Sequence, residues 1–288
     1  MVLELRPYLV LVRAGTLFSP AADILAGLCL AAGTGAVSWD GNVVRLIVAS
    51  VLLYAGGMIL NDHADRDLDA KQRPERPIPQ GKITPVRALI LGILCLAGCL
   101  FASPIPYYHG VMAALVLGYD YVIKKNVAAG AVTMGTLRGM NLLAPTAVAG
   151  LGNVWDTDSA IEAAAGYFFY IVAVTLLGVL EDEKHVHRRS VLGLISVPPI
   201  AGLLVIYSLP VTWPATGIAI ALATFFLWRH RNIEWNQRTI RGAMMWLLLG
   251  TMLYTALIAL GTGHWFVSPV IIAMLLTARV VAHRISLT

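Results

Sequence analysis

Asn61-Asp62-His63-Ala64-Asp65-Arg66-Asp67-Leu68-Asp69 closes an apolar run, residues 42 to 61, that is long enough to cross a bilayer. How that junction is read decides the fold. A carboxylate drawn into a bilayer costs roughly 2.5 to 3.5 kcal/mol at a helix centre on insertion scales, so acids set at its edge need a use or a neutralising partner. If the helix continues through the junction, Asp62, Asp65 and Asp69 recur at intervals of three and four and share one face, with Asn61 beside them and Asp67 turned away. Acids on one face repel unless a cation sits among them. Oxygen-only ligands at a water-accessible mouth suit a hard ion such as Mg2+, which keeps several waters and is commonly completed by substrate phosphates. No His or Cys set at zinc spacing competes with this reading.

The rest of the chain supplies the membrane setting. Hydrophobic residues make up 58% of 288 and charged residues only 13%, about half the charge of an ordinary soluble domain. Apolar runs bounded by charge or by Gly and Pro cover residues 14 to 37, 42 to 61, 85 to 103, 106 to 123, 128 to 150, 162 to 180, 191 to 208, 212 to 228, 242 to 261 and 265 to 282. About 20 residues at about 1.5 Å each cross a hydrocarbon core of about 30 Å, so the shorter runs are tilted, buried or partly inserted. The expected fold is all-α, a polytopic transmembrane bundle of nine or ten helices. With no low-complexity linker between the runs, residues 1–288 read as one integral membrane domain.

Basic residues orient the bundle, because cytoplasmic loops carry an excess of Lys and Arg. Arg6 and Arg13 precede the first run; Arg66, Lys71, Arg73, Arg76, Lys82 and Arg87 follow the second; Lys124 and Lys125 follow the fourth. Lys184, Arg188 and Arg189 follow the sixth, and Arg229, Arg231, Arg238 and Arg241 the eighth. The opposite loops hold Asp40, Asp156 and Asp158 and no Lys. Both termini and the acidic segments are therefore expected to be cytoplasmic in a multi-pass protein of a bacterial or archaeal cell membrane. The net charge of +5 is an orientation signal and an attraction to anionic lipid, not a sign of nucleic acid as a partner. The N-terminal segment lacks the pattern of a cleavable signal peptide.

A few polar residues lie inside apolar runs. Arg138 falls within the fifth, where an unpaired charge is costly, so a phosphate or carboxylate partner is expected; Asn141 shares its face, and Asp23 and Asp120 are the internal candidates. Cys29, Cys95 and Cys99 all lie in apolar runs and read as small buried hydrophobes, with no disulfide or metal framework.

Taken together these residues resemble the UbiA superfamily of intramembrane prenyltransferases over most of the chain. The family's first signature, Asn-Asp-x-x-Asp-x-x-x-Asp after the second helix, is matched in full by Asn61, Asp62, Asp65 and Asp69, and the continuation Arg73-Pro74-Glu75-Arg76-Pro77-Ile78-Pro79-Gln80-Gly81-Lys82-Ile83 is similar to the loop that follows it. Arg13-Ala14-Gly15-Thr16 through Asp23-Ile24-Leu25-Ala26-Gly27 resembles a bacterial branch of the superfamily that includes EboC-type proteins. The resemblance implies a helical bundle enclosing a membrane cavity, with Mg2+ as cofactor. It implies a prenyl diphosphate donor held at the rim, and a hydrophobic or aromatic acceptor, or a lipid precursor, drawn from the membrane. It also implies catalytic roles for Asn61, Asp62, Asp65 and Asp69, the three acids doubling as metal ligands. Arg66, Arg76, Lys124, Lys125 and Arg138 are the implied grips on the diphosphate, with Tyr121 to Lys125 fitting the family's Tyr-x-x-x-Lys arrangement.

The second signature departs from the pattern. The family places Asp-x-x-x-Asp after the sixth helix, whereas this chain reads Leu180-Glu181-Asp182-Glu183-Lys184-His185-Val186-His187-Arg188-Arg189. Consecutive acids point about 100° apart on a helix, and His is a poor ligand for Mg2+; Glu181 and Asp182 remain metal candidates if the segment is irregular. The main reading is Mg-dependent transfer of a prenyl group from its diphosphate to an acceptor. The alternatives are phosphoribosyl-type transfer to a polyprenyl acceptor in the same fold, and a non-catalytic lipid-binding or transport accessory that kept the scaffold.

Overall fold

A computed structural model describes residues 2–149, 157–181 and 187–287. Among these the regular structure is helical: α1 (Val2–Leu11), α2 (Phe18–Ala32), α3 (Gly41–Ala64), α4 (Arg66–Gln72), α5 (Pro85–Ala102), α6 (Pro106–Tyr121), α7 (Val127–Ala149), α8 (Thr157–Glu181), α9 (Arg188–Tyr207), α10 (Thr212–His230), α11 (Gln237–Gly261) and α12 (Val267–Leu287), with single 3-10 turns at Ala14–Thr16 and Ile123–Lys125. Each apolar run of the sequence corresponds to one long helix; α1 and α4 are short additions at its polar margins. Among the described residues seven segments are long and apolar enough to cross a membrane on length and composition: Ala14–Ala32, Gly41–Ala64, Pro85–Ala102, Asp158–Glu181, Arg188–Tyr207, Gln237–Gly261 and Val267–Ile285. Nine or ten is thus an approximate count. The three remaining long helices, α6, α7 and α10, fall outside it for visible reasons: α6 has 16 residues and ends in Asp120 and Tyr121, α7 carries Arg138 among Gly and Thr, and α10 opens on Thr-Trp-Pro and closes on Arg229 and His230.

The helix ends are written in the sequence. Asp40 caps α3, its side chain accepting from the backbone N–H groups of Asn42 and Val43, and Thr84 caps α5 with Pro85 in the first turn. Asn236 and Thr239 form a reciprocal capping box at the start of α11.

The chain divides into two compact units, one made of Met1–Ala21, Trp39–Ile123 and Ala273–Thr288, the other of Ala22–Ser38 and Lys124–Ile272. In the first, α3 packs against α5 and α6. The α3–α5 contact is close because it is built on glycine: a Cβ on Gly92 would lie 2.7 Å from the Leu60 side chain, and one on Gly56 would lie 2.9 Å from that of Leu96. Small residues at helix contacts are the usual means of tight packing in lipid, where apolar side chains gain little by leaving the acyl chains. A satellite core of Leu11, Ile59, Ile78, Ile83 and Ala88 pins the loop after α4 to this pair. In the second unit the core centres on α8, with Tyr167, Ile171, Leu177, Ile195, Leu247 and Tyr254 buried together, and the rings of Tyr167 and Tyr254 stacked at 5.1 Å.

Candidate functional site

The acidic junction sits where α3 gives way to α4. The helix does not run through unbroken: Asp65 leaves helical geometry, with φ −90° and ψ 4°. Yet the i to i−4 ladder survives, since Asp65 N–H donates to Asn61 O at 2.9 Å and Asp69 N–H to Asp65 O at 2.8 Å. The expected sidedness therefore holds for its two ends. Asp62 and Asp69 are buried, with side chains 6% and 4% exposed, whereas the Asp67 side chain is 89% exposed. Asp65 lies between, half-buried.

Two buried carboxylates in one place require a cation, and the loop after α4 delivers one. Arg76 Nη1 donates to Asp62 Oδ1 at 3.0 Å and to Asp69 Oδ2 at 2.6 Å. The loop can do this because its apolar residues are anchored: Ile78 and Ile83 lie in the satellite core, and Lys82 N–H and Ile83 N–H both donate to Pro77 O, closing the turn through Gly81 at φ +71°. Arg13 adds a second positive charge, Nη2 to Asp62 Oδ1 at 3.3 Å. It is presented from a left-handed backbone conformation, φ 49° and ψ 56°, at the start of the Ala14–Thr16 turn. Beside it Gly15 is tight against α12, where a Cβ would lie 2.7 Å from Ala282 Cβ and 3.0 Å from Ala278 O.

The other expected residues of this unit distribute around that centre. Asn61 Nδ2 donates to Asp120 Oδ1 at 3.2 Å, tying α3 to α6. The Tyr121 hydroxyl is hydrogen-bonded to His63 Nδ1 at 2.9 Å. Arg66 turns back, Nη1 donating to His63 O at 3.1 Å at the end of α3, with Asp67 at 3.8 Å. Lys124 and Lys125, in the 3-10 turn after α6, belong to the second unit and are half-buried and exposed respectively.

Among the described residues no three carboxylate, imidazole or thiol groups stand close enough to cage an ion unaided. The fit to Mg2+ rests instead on the pair Asp62 and Asp69. A guanidinium nitrogen already lies within 3.0 Å of one oxygen from each, so the position between them accepts positive charge. Two carboxylates with the remaining places left to water and phosphate oxygens is the ordinary protein share for that ion.

The second unit holds its own charged cluster. Asp23 is fully buried on α2, and its oxygens are all engaged: Arg138 Nη1 donates to Oδ2 at 2.7 Å, Asn141 Nδ2 to Oδ2 at 3.0 Å, and the Tyr167 hydroxyl to Oδ1 at 2.9 Å. The partner expected for Arg138 is thus a carboxylate, and Asn141 does share its face. Arg138 also lies 5.7 Å from the Tyr167 ring centroid. Gly27, one turn along α2, makes this possible, because a Cβ there would strike Leu142 O on α7. Of the second acidic segment, Glu181 is described and forms an ion pair with Arg241, Nη2 to Oε1 at 2.6 Å and Nε to Oε1 at 2.8 Å. Asp182 lies outside the described residues.

Sequence reasoning missed Arg13 and Tyr167 as partners of these clusters. Arg13 reads as a basic residue before a span that opens a family-like stretch, and only Gly15, two residues on, marks a close approach. Tyr167 stands in an apolar run with nothing in its spacing to set it apart.

Known proteins match this architecture. Digeranylgeranylglyceryl phosphate synthase of Methanopyrus kandleri is 30% identical over 77% of this chain and 74% of its own length. The same-named protein of Methanothrix thermoacetophila is 35% identical over 43% of this chain and 50% of its own length, so in that comparison the chain spans half of its relative. The bacteriochlorophyll synthase 34 kDa chain of Chloroflexus aurantiacus is 25% identical over 77% of this chain and 75% of its own. Among solved structures, a UbiA homologue from Archaeoglobus fulgidus bound to GPP and Mg2+ superposes with a TM-score of 0.62 over 88% of this chain and 99% of its own, at 14% identity. That likeness establishes the fold. The model of the UbiA prenyltransferase family matches residues 23–287, nearly the whole chain, and with its apolar helices and intact first acidic motif this integral membrane protein belongs to the UbiA prenyltransferase family.

Proposed function

We propose that this protein transfers a prenyl group from a prenyl diphosphate to a hydrophobic acceptor within the membrane, and that residues 1–288 act as one catalytic domain. The observation that carries the proposal is the convergence of Asp62 and Asp69 on a single cationic nitrogen of Arg76. In the reaction the allylic C–O bond breaks, its electron pair leaves with the diphosphate, and an electron-rich carbon or oxygen of the acceptor bonds to the allylic carbon and loses a proton. The barrier lies in the charge that develops on the leaving group, so preorganised cations at that point supply the rate. Asp62 and Asp69, with Asp65 beside them, would hold Mg2+, which when bound neutralises the departing diphosphate. Arg76 and Arg13 are positioned to exchange their carboxylate contacts for diphosphate oxygens. Asn61, held by Asp120, fixes the end of α3 on which Asp62 rides. The apolar helices exclude water from the allylic cation, and each prenyl methylene taken from water adds about 0.8 kcal/mol to donor binding.

Arg66, Tyr121, Lys124, Lys125 and Arg138 belong to the proposal as further contacts for donor or acceptor. The acidic motifs and both termini are placed on the cytoplasmic side, a reading supported by the basic loops. The names of the relatives, a glyceryl phosphate synthase and a bacteriochlorophyll synthase, favour a lipid precursor or a ring compound as acceptor. The test is diphosphate release by the purified protein in lipid, with Mg2+ and prenyl diphosphates of graded length. Release that needs Mg2+ and falls by about a hundredfold or more in Asp62→Ala and Asp65→Ala supports the proposal, on the scale of losing one transition-state contact. Bound donor with no release in the presence of candidate acceptors would point to the accessory reading instead.

A further inference from the structure

Between α9, α10 and α11 the second unit carries a groove of about 170 Å³ that shares no residue with either charged cluster. Its floor is made of residues too small to fill it, Pro198, Gly202, Ala219, Ala223 and Gly250. The two phenols at its base are already spent: the Tyr170 hydroxyl donates to Leu247 O at 2.6 Å and that of Tyr254 to Ala163 O at 2.8 Å. Neither hydroxyl proton on the floor is left to donate to an anionic ligand. The walls run from Ala219 to His230 along α10 and from Trp246 to Leu257 along α11, a length of about 16 Å at about 1.5 Å per residue. That is half of a hydrocarbon core about 30 Å thick, the depth of one leaflet.

One end of the groove is different. Arg229 and His230 line it there; Arg229 is exposed, while His230 is held by Phe226 O at 2.8 Å and stacked on Trp235. Beyond the mouth, Arg231 lies over the Trp228 ring at 5.8 Å and its carbonyl accepts from Arg188 Nη2 at 2.8 Å. The mouth is therefore basic and flanked by exposed indole, the pattern of a helix end at the headgroup level.

We infer that this groove holds one chain of an anionic phospholipid, with the lipid phosphate at Arg229. A hydrocarbon chain gains little by moving from bulk lipid into an apolar groove, so selection among lipids falls to the headgroup, and the positive mouth selects negative charge. The ligand is a membrane lipid rather than a free anion, because the groove beyond Arg229 is lined almost wholly by apolar side chains and carries no second positive charge.

The test uses Trp246, which lines the groove and is 50% exposed, as a fluorescent reporter, with Trp246→Phe to isolate its signal. The purified full-length protein is titrated with chain-brominated phosphatidylglycerol or phosphatidylcholine. The expected result is saturable quenching with a half-saturation about fivefold lower for the anionic lipid, the effect of about one basic residue. Arg229→Gln should erase that preference. Ala223→Phe should erase the saturable component, with Gly202→Leu as a second block should the first variant fail to fold. Linear quenching equal for both lipids, or a preference that survives Arg229→Gln, would overturn the inference. So would reversal of the quenching by inorganic phosphate, which would make this an anion site, or by geranylgeranyl diphosphate, which would make it a donor site.

Discussion

Asp62 and Asp69 are legible from spacing alone, because acids at the end of an apolar helix must face one another or face water. What answers them is not legible. Arg76 is fourteen residues from Asp62 in sequence, and it reaches both acids only because the Ile78 and Ile83 anchors fold its loop back. Removing its guanidinium leaves two buried carboxylates opposed, so Arg76→Ala should lower the melting temperature in chelator by several degrees, and added Mg2+ should recover more of that loss than it gives the wild type. Thermal melts of the detergent-purified protein with and without Mg2+ check this. At the other cluster, Asp23→Ala removes the carboxylate paired with Arg138, and breaking a buried pair costs about 3–5 kcal/mol. Tyr167→Phe removes only one donor to Asp23 and should cost about 1–3 kcal/mol. The ordering of the two variants in a denaturation series is the measurement, and a larger loss for Tyr167→Phe would contradict the assignment.

The helices themselves follow from hydropathy and from their stops. Prolines at 85 and 106 open α5 and α6, and Asp40, Thr84 and Asn236 cap α3, α5 and α11, so boundaries fall within a few residues of the apolar runs. Composition is a weaker guide to how helices meet, because the closest contacts rest on residues that carry no side chain. A bulky residue at Gly92 has nowhere to go against Leu60; Gly92→Leu should destabilise the protein by about 1–3 kcal/mol and broaden its gel-filtration peak. Gly15→Val is subtler. Its neighbours Ala282 Cβ and Ala278 O cannot rotate away, so the turn that presents Arg13 must shift, and turnover should fall further than stability does. Parallel rate and melting measurements separate the two effects.

At the scale of the molecule, the orientation in the membrane rests on the basic loops and is open to a direct check. With Cys29, Cys95 and Cys99 replaced, single cysteines at Glu75 and Asp158 should label oppositely in intact cells: a membrane-impermeant maleimide should reach Asp158→Cys and not Glu75→Cys until the cells are opened. The division into two compact units was not legible, since no linker marks it and α2 and α12 each contribute to both. Patterns of hydropathy report which residues leave water, not which helices close on one another.

The guanidinium between Asp62 and Asp69 also governs the order of loading. With Arg13 also on Asp62, two guanidinium charges already balance the two carboxylates, which offer little to a free divalent ion, so the resting protein is no trap for stray metal. The exchange becomes favourable when an anionic cargo arrives to receive the displaced arginine, which couples ion and donor so that each tightens the other's hold by the same factor. Calorimetric titration should then find Mg2+ alone binding weakly and Mg2+ in the presence of a non-hydrolysable prenyl diphosphate binding at least tenfold more tightly.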